Sequence, residues 1–256
     1  MQIRLIRNAT LIVQAGSQHV LVDPMLGPKG SLPPYAFFRH RPRRNPTLPL
    51  PANVKPALET ITAGLVTHCR RGHFDHLDRA GWQLLARRRV PVYCNHLDET
   101  YLQRRGIITV PLQPHQQHAF LEGSIIAFET AHGYGLVGKL MGPGLGYLIE
   151  LPGEPSIYIS GDTVLTATVR QVLTDLRPDV AVLNAGSASL DLGRPILMPM
   201  GEMLEFIRLA PGTVIAVHME ALNHCPTTRA QFREAVARAG LTGKVRVPAD
   251  GQVLVI

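Results

Sequence analysis

Four short runs in this chain that read as strands are each followed, within two residues, by a side chain able to bind a metal ion. The run 61–67 leads into His68, and 124–130 leads through Ala131 to His132. Ile157-Tyr158-Ile159-Ser160 leads to Asp162, and Val214-Ile215-Ala216-Val217 leads to His218. Runs this short and apolar, without helical period, read as buried strands. In open sheet architectures, sites form beyond the carboxyl ends of strands. Taken singly, His132 or His218 is more often a satisfied structural histidine. Asp162 alone is more often a turn residue or the N-cap of the helix that follows. Four such ends together constrain the fold far more: the sheets must bring them to one place.

The remaining chain supplies those sheets. Residues 3–13 and 19–22 read as two strands around a turn at Ala15-Gly16-Ser17, with Asp23-Pro24 stopping the second. Residues 26–56 are rich in proline, glycine and arginine and show no period. They read as a long ordered loop able to cover a site. Strands at 61–67, 90–94 and 107–112 alternate with helices at 79–88 and 98–105, a βαβ pattern. The second half offers strands at 124–130, 146–151, 156–160, 179–184 and 213–217. Its helices are at 166–176, 200–209 and 228–239, the last closed by Gly240, and strands at 245–247 and 252–256 finish the chain. The two halves share one layout. It suits one domain over residues 1–256, an α/β (α+β) fold built as a four-layer αββα sandwich with helices outside two packed sheets.

Composition narrows the function classes. Hydrophobic residues make up 45% of the chain, enough for a sizeable core. No apolar run reaches about 18 residues, so no membrane span is expected. The first residues lack the layout of a signal peptide, and a cytoplasmic location follows as the expectation. Three cysteines, Cys69, Cys94 and Cys225, form no CxxC pair. So sparse a set argues against a disulfide framework. Cys69 and Cys225 lie near histidines, which leaves metal ligation open beside the plainer reading of buried thiols. The formal charge of +7 gathers in arginine runs at 39–44, 70–71, 87–89 and 104–105. Such charge attracts an anionic small molecule or nucleic acid. No aromatic interleaving, helix-turn-helix or zinc-finger pattern supports nucleic acid, so solvated surface arginine is the preferred reading. A closed homo-oligomer is compatible with all of this.

The chemistry concentrates in Thr67-His68-Cys69-Arg70-Arg71-Gly72-His73-Phe74-Asp75-His76-Leu77-Asp78. His68, His73, Asp75 and His76 fall within nine positions, in a chain with eleven histidines. Imidazole nitrogen and carboxylate oxygen are the donors that zinc, manganese and iron take. The order His73-Phe74-Asp75-His76, then His132, Asp162 and His218, resembles the metallo-β-lactamase fold superfamily. Its signature T-H-x-H-x-D-H is followed by a distant His, Asp and His. Asn8-Ala9-Thr10-Leu11 and Leu21-Val22-Asp23-Pro24 are similar to the branch that holds L-ascorbate-6-phosphate lactonase and the N-acylphosphatidylethanolamine-hydrolysing phospholipase D. The resemblance covers essentially the whole chain. It is specific for the superfamily and poorly specific for substrate.

One departure stands out. The family places one residue between its first two histidines, whereas Cys69 to Gly72 separate His68 from His73. Aligned from the right, the first position falls on Arg71, which cannot be an ordinary ligand. Aligned from the strand end, it falls on His68, with Gly72 letting a bulged loop close, and this alignment is favoured. The resemblance then implies two divalent metal ions, zinc first, with manganese or iron as alternatives. His68, His73 and His132 would hold one ion, Asp75, His76 and His218 the other, and Asp162 would bridge. A hydroxide between the ions would attack, oriented by Asp75. The implied activity is hydrolysis of a small ester, lactone or phosphoester. A non-catalytic metal sensor of the same fold and a nucleic-acid-directed phosphodiesterase are the rivals. Two residues stay open. His224 reads as a general acid, a substrate contact, a substitute ligand or an ordinary loop histidine. Asp23 reads as a hydrogen-bond partner of a ligand histidine or as a simple strand-ending turn.

Overall fold

The computed structural model describes residues 1–70 and 72–256. Arg71, and with it the alignment that puts the first histidine position there, lies outside the described residues. The first sheet contains β1 (Gln2–Arg7), β2 (Thr10–Ala15), β3 (Gln18–Val22), β4 (Ala63–Val66), β5 (Pro91–Asn95) and β6 (Ile108–Leu112). The second contains β7 (Gln117–Phe120), β8 (Gly123–Thr130), β9 (Gly144–Glu150), β10 (Ile157–Ile159), β11 (Val180–Asn184), β12 (Thr213–Val217) and β13 (Val245–Arg246). The last strand, β14 (Val253–Val255), returns to the first sheet and pairs antiparallel with β1. Both sheets follow one plan. Antiparallel pairing runs through β1–β2–β3 and β7–β8–β9–β10, and parallel pairing through β3–β4–β5–β6 and β10–β11–β12–β13. In consequence β8, β10, β11 and β12 all run the same way, and their carboxyl ends share one edge.

Strand side chains alternate between faces, and here both faces are apolar. Leu11, Val20 and Leu65 of the first sheet meet Ile159, Val182 and Ile215 of the second in the central core. Their neighbours Ile12, Leu21 and Val66 point the other way, onto Leu84 and Leu85 of α2 (Arg79–Arg88), beyond α1 (Lys55–Leu58), and onto Leu102 of α3 (Glu99–Gln103). After α4 (Gly135–Met141), the second sheet repeats this. Tyr158, Ala181 and Ala216 face Val169 of α5 (Ala167–Gln171), Phe206 of α6 (Met200–Leu209) and Phe232 of α7 (Arg229–Arg238). These three apolar layers make the αββα sandwich that the pattern suggests. The helix starts follow their capping residues. Asp78 accepts from Gly81 N at the head of α2, and Thr228 and Gln231 form a capping box on α7.

Three local features depart from the sequence pattern or escape it. The run 3–13 is two strands, broken by a turn at Asn8, which sits at φ 59°. Apolar residues on both sides conceal that turn, and asparagine tolerates the left-handed region. β7 pairs through its backbone at a sheet edge, with a sequence that shows no apolar alternation. α4 forms in the segment 133–143, where two glycines hide a helix; none of its residues is buried, and only Val137 and Met141 rest against the core.

The long segment 26–56 is anchored by one cation. Arg7, fully buried, donates to the carbonyls of Met25, Gly27 and Leu48, each at 2.9 Å. Burial lowers its pKa to about 10, against the pull of Asp78 and Asp250, so the charge persists at neutral pH. Replacing it strands three carbonyls. Arg7→Met is expected to cost roughly 3 kcal/mol of unfolding free energy or more, read as a lower urea midpoint. An unchanged midpoint would mean that the loop holds itself.

Candidate metal centre

The parallel strands place the site. β3 and β4 lie side by side, so Asp23 ends next to Thr67-His68, with Asp23 N donating to Leu65 O at 3.0 Å. On the facing sheet, the ends of β8, β10 and β12 deliver His132, Asp162 and His218. Leu145 N donates to Thr67 O at 3.0 Å and Tyr147 Oη to Val66 O at 2.8 Å, which ties the sheets together at this edge. Gly161, before Asp162, fits this seam for lack of a side chain: at φ 61° a Cβ would stand 2.8 Å from Leu145 O. Gly72 at φ 92° turns the chain after His68, and His73 returns to lie beside it, ring centroids 4.4 Å apart.

All seven residues singled out as ligands are buried. One donor atom each from His68, His73 and His132 lies within 4.8 Å of the others, and so do those of Asp75, His76, Asp162 and His218. Asp162 stands between the groups. Its Oδ2 is 3.1 Å from His76 Nε2, 3.3 Å from His132 Nε2 and 4.0 Å from His68 Nε2, while its Oδ1 is 3.6 Å from His218 Nε2. Asp75 Oδ2 is 3.5 Å from the Nε2 atoms of both His76 and His218.

The hydrogen bonds decide whether this set suits a cation. His73 Nδ1 donates to Arg70 O at 2.5 Å, His132 Nδ1 to Ile196 O at 2.9 Å, and His76 Nδ1 to Asp23 Oδ2 at 2.8 Å. Thr67 gives its hydroxyl proton to Asp23 at 2.7 Å and so accepts from His68 Nδ1 at 2.9 Å. The Cys225 thiol lies 3.6 Å from His218 Nδ1. The outward ring nitrogens, Nε2 of His68, His73, His76 and His218, are buried with no hydrogen-bond partner among the described residues. Buried polar atoms are rarely left so. Imidazoles held through one nitrogen with the other free, beside two carboxylates, fit divalent ions of the zinc, manganese and iron kind. The charge balance agrees. Burial pushes the carboxyls of Asp75 and Asp162 toward neutrality, but His76 and His218 outweigh it and hold both below the usual carboxylate range. Burial pushes His68 down, and His132 down to about 4, which keeps these rings deprotonated. Against burial, Asp162 and its neighbours raise His76 and His218 well above the usual imidazole range, so a bound ion there would displace a proton from each.

Asp23 therefore has the hydrogen-bonding place open to it in the sequence. Two residues escaped that reading. Asn184, at the end of β11, donates to Asp162 Oδ1 at 2.6 Å. Its signal was the same as the others', a polar residue closing an apolar strand. Tyr35, from the long loop, had no signal. It lines a cavity of about 290 Å³ over the cluster, with Phe74, Met141, Leu190, Ile196 and His224. His224 joins neither group of donor atoms; burial pushes its imidazole down to about 4, so it is neutral at pH 7. Cys69 and Cys94 are free and buried and join neither group, nor do His96, His115 and His118.

Known proteins place this geometry. No family model matches the chain. The UPF0173 protein YddR of Bacillus subtilis (strain 168) is 31% identical over 98% of both chains. The chain belongs to the UPF0173 family. Another UPF0173 member, a metal-dependent hydrolase of Rubrobacter xylanophilus, is 25% identical over 93% of this chain and 89% of its own. Among solved structures, an isothiocyanate hydrolase from Delia radicum gut bacteria superposes with a TM-score of 0.90 at 32% identity, covering 100% of this chain and 99% of that one. The metallo-β-lactamase fold protein YhfI of Bacillus subtilis shares the fold, with a TM-score of 0.67 at 13% identity over 99% and 98%. This UPF0173 member is accordingly a metal-dependent hydrolase with the metallo-β-lactamase fold. Among the described residues, no helix is long and apolar enough to cross a membrane.

Because Asp23 fixes His76, Asp23→Ala is expected to weaken divalent-metal binding by roughly 10–100-fold, measured by competition with a chromogenic chelator. Unchanged affinity would show that His76 needs no such support.

Proposed function

We propose that the chain hydrolyses a small, uncharged, largely apolar electrophile: an ester, a lactone or an isothiocyanate. The wall of the cavity carries this reading. Phe74, Met141, Leu190 and Ile196 line it, and among the described residues neither lysine nor arginine does. The arginine run that motivated an anionic substrate lies elsewhere, with Arg39, Arg41, Arg43 and Arg44 exposed. A phosphoester would bring charge into this cavity with no basic side chain among the described lining residues to meet it. The isothiocyanate enters because a full-length structural relative hydrolyses that class, and its heterocumulene carbon is as open to attack by water as an ester carbonyl.

The reading assigns His68, His73 and His132 to one ion, Asp75, His76 and His218 to the other, and Asp162 between them, with zinc first among the candidates. Bound ions of this kind acidify water to a nucleophile at neutral pH and polarise the atom under attack. The protein's own groups do the rest. Asp75 is ionised and lines the cavity, so it accepts a hydrogen bond from the attacking water and fixes its approach. The apolar wall excludes other water and seats the substituent. The three free, buried cysteines support a reducing, cytoplasmic setting.

Two measurements test this. Elemental analysis of the purified protein is expected to give two divalent ions per chain, one of them lost in His68→Ala. One ion, unaffected by His68→Ala, would remove His68 from the ligand set. Assays across p-nitrophenyl acetate, γ-butyrolactone, phenethyl isothiocyanate and p-nitrophenyl phosphate are expected to favour a neutral substrate by at least tenfold in kcat/KM. A preference for the phosphate would overturn the substrate class and leave the metal assignment intact.

A further inference from the structure

Two polar groups in the cavity wall belong to neither cluster of donor atoms. The Tyr35 hydroxyl and His224 Nδ1 are buried and have no hydrogen-bond partner among the described residues. An unmade hydrogen bond costs on the order of 1–3 kcal/mol, so two of them side by side call for a physical reason. The rings meet edge to face with centroids 5.0 Å apart. They come from distant parts of the chain, and one buried network joins them. Asn223 Oδ1 accepts from Tyr35 N at 2.8 Å and from Asn45 Nδ2 at 3.2 Å. Asn223 Nδ2 donates to Ala36 O at 2.7 Å, and Asn223 N donates to Asn45 Oδ1 at 2.8 Å. The residue before His224 thus grips the loop that carries Tyr35, and neither asparagine lines the cavity.

We propose that Tyr35 and His224 form a substrate-holding pair, spaced by the Asn45–Asn223 clasp. The Tyr35 hydroxyl donates a hydrogen bond to the oxygen, sulfur or nitrogen of the electrophilic group, and His224 contacts the same polar head. The inference rests on the hydrolase reading above and adds a donor from the chain itself. As water adds to the carbon, negative charge grows on the adjoining heteroatom. A donor already in place, in a wall that excludes water, stabilises that charge without reorganising. Tyr35 keeps its proton throughout; no bond to it forms or breaks. Together with the apolar wall, the pair selects molecules with one acceptor head and an apolar tail.

The test uses the metal-loaded full chain and two readouts. The first is turnover of phenethyl isothiocyanate and p-nitrophenyl acetate. The second is calorimetric binding of 4-phenylbutan-2-one, a ketone with an acceptor oxygen, an apolar ring and no leaving group. Tyr35→Phe is expected to lower kcat about 10²-fold, while KM and the ketone Kd rise by about fivefold at most, with metal content and urea midpoint unchanged. Asn223→Ala is expected to slow turnover comparably, and adding Tyr35→Phe to it to change little more, because both act through one hydroxyl. The proposal falls if Tyr35→Phe leaves kcat and ketone affinity within about twofold of wild type, or if the wild type does not bind the ketone. Ketone binding that depends on Tyr35, without turnover of any neutral substrate, would remove the substrate reading and keep the pair. Turnover indifferent to Tyr35 would do the reverse.

Discussion

In four of the five imidazoles of the cluster, Nδ1 bonds an oxygen of the protein, and in three of those, His68, His73 and His76, Nε2 is buried with no hydrogen-bond partner among the described residues. Much of the surrounding architecture serves this division. The acceptors are the Arg70 and Ile196 carbonyls, the Asp23 carboxylate and the Thr67 hydroxyl. Each sits just past a strand or in a loop that a strand end fixes. Burying five imidazoles and two carboxylates is costly, since an isolated buried charge is expelled or neutralised. Here the opposite charges sit within 4 Å of one another, and Asp162 touches both groups. A sandwich whose sheets each have a parallel half supplies such an edge without special loops. Its strands end together, and side chains at those ends need no flexible segment to reach one another.

The cavity is a different kind of object. One side is the rigid cluster, and the other is irregular chain. An irregular segment positions a side chain well only when its own backbone is held. The 26–56 loop is held twice, by the buried guanidinium of Arg7 near its ends and by Asn45 and Asn223 in its middle. The exposed tip of the same loop is pinned by Asp191, whose carboxylate accepts from the amides of Phe37, Phe38 and Arg39. Loop length and composition can therefore vary the cavity wall while the metal cluster stays on its strands.

That division also explains what was legible in the sequence. His132, Asp162 and His218 could be picked out because each closes an apolar run, and the strand period fixes where such a residue points. His68 could be preferred over Arg71 because Thr67-His68 ends the strand as the family motif does and Gly72 lets the loop close, and Gly72 does have a positive φ of 92°. Asn184 carries the same signal, and its amide donates to Asp162. Tyr35 was hidden. Its position depends on a hydrogen bond to a residue 188 positions away, and no local pattern encodes such a contact. The turn at Asn8 was masked by apolar residues on both sides, and α4 by its glycines. Periodicity reports what a sheet or helix repeats, and these features repeat nothing.

The segment from His218 to Cys225 carries both halves of the site at once. His218 and Glu220 have φ values of 64° and 67°, in the left-handed region that side chains other than glycine, asparagine and aspartate seldom adopt. Such strain persists only where the surroundings over-determine the backbone. Here they do. His218 N donates to Asn8 O at 3.0 Å, Thr47 N to Ala221 O at 2.7 Å, and Arg229 binds the Glu220 carboxylate through its amide and its guanidinium. The strained stretch presents a cluster histidine at its start and the clasp residue Asn223 and cavity residue His224 at its end. A regular helix would separate these side chains by its own geometry, and a strand would alternate them between faces. The irregular path lets one short segment set the distance between the cluster and the cavity wall at His224. That distance is what a hydrolytic site must hold fixed, because water attacks along one line only.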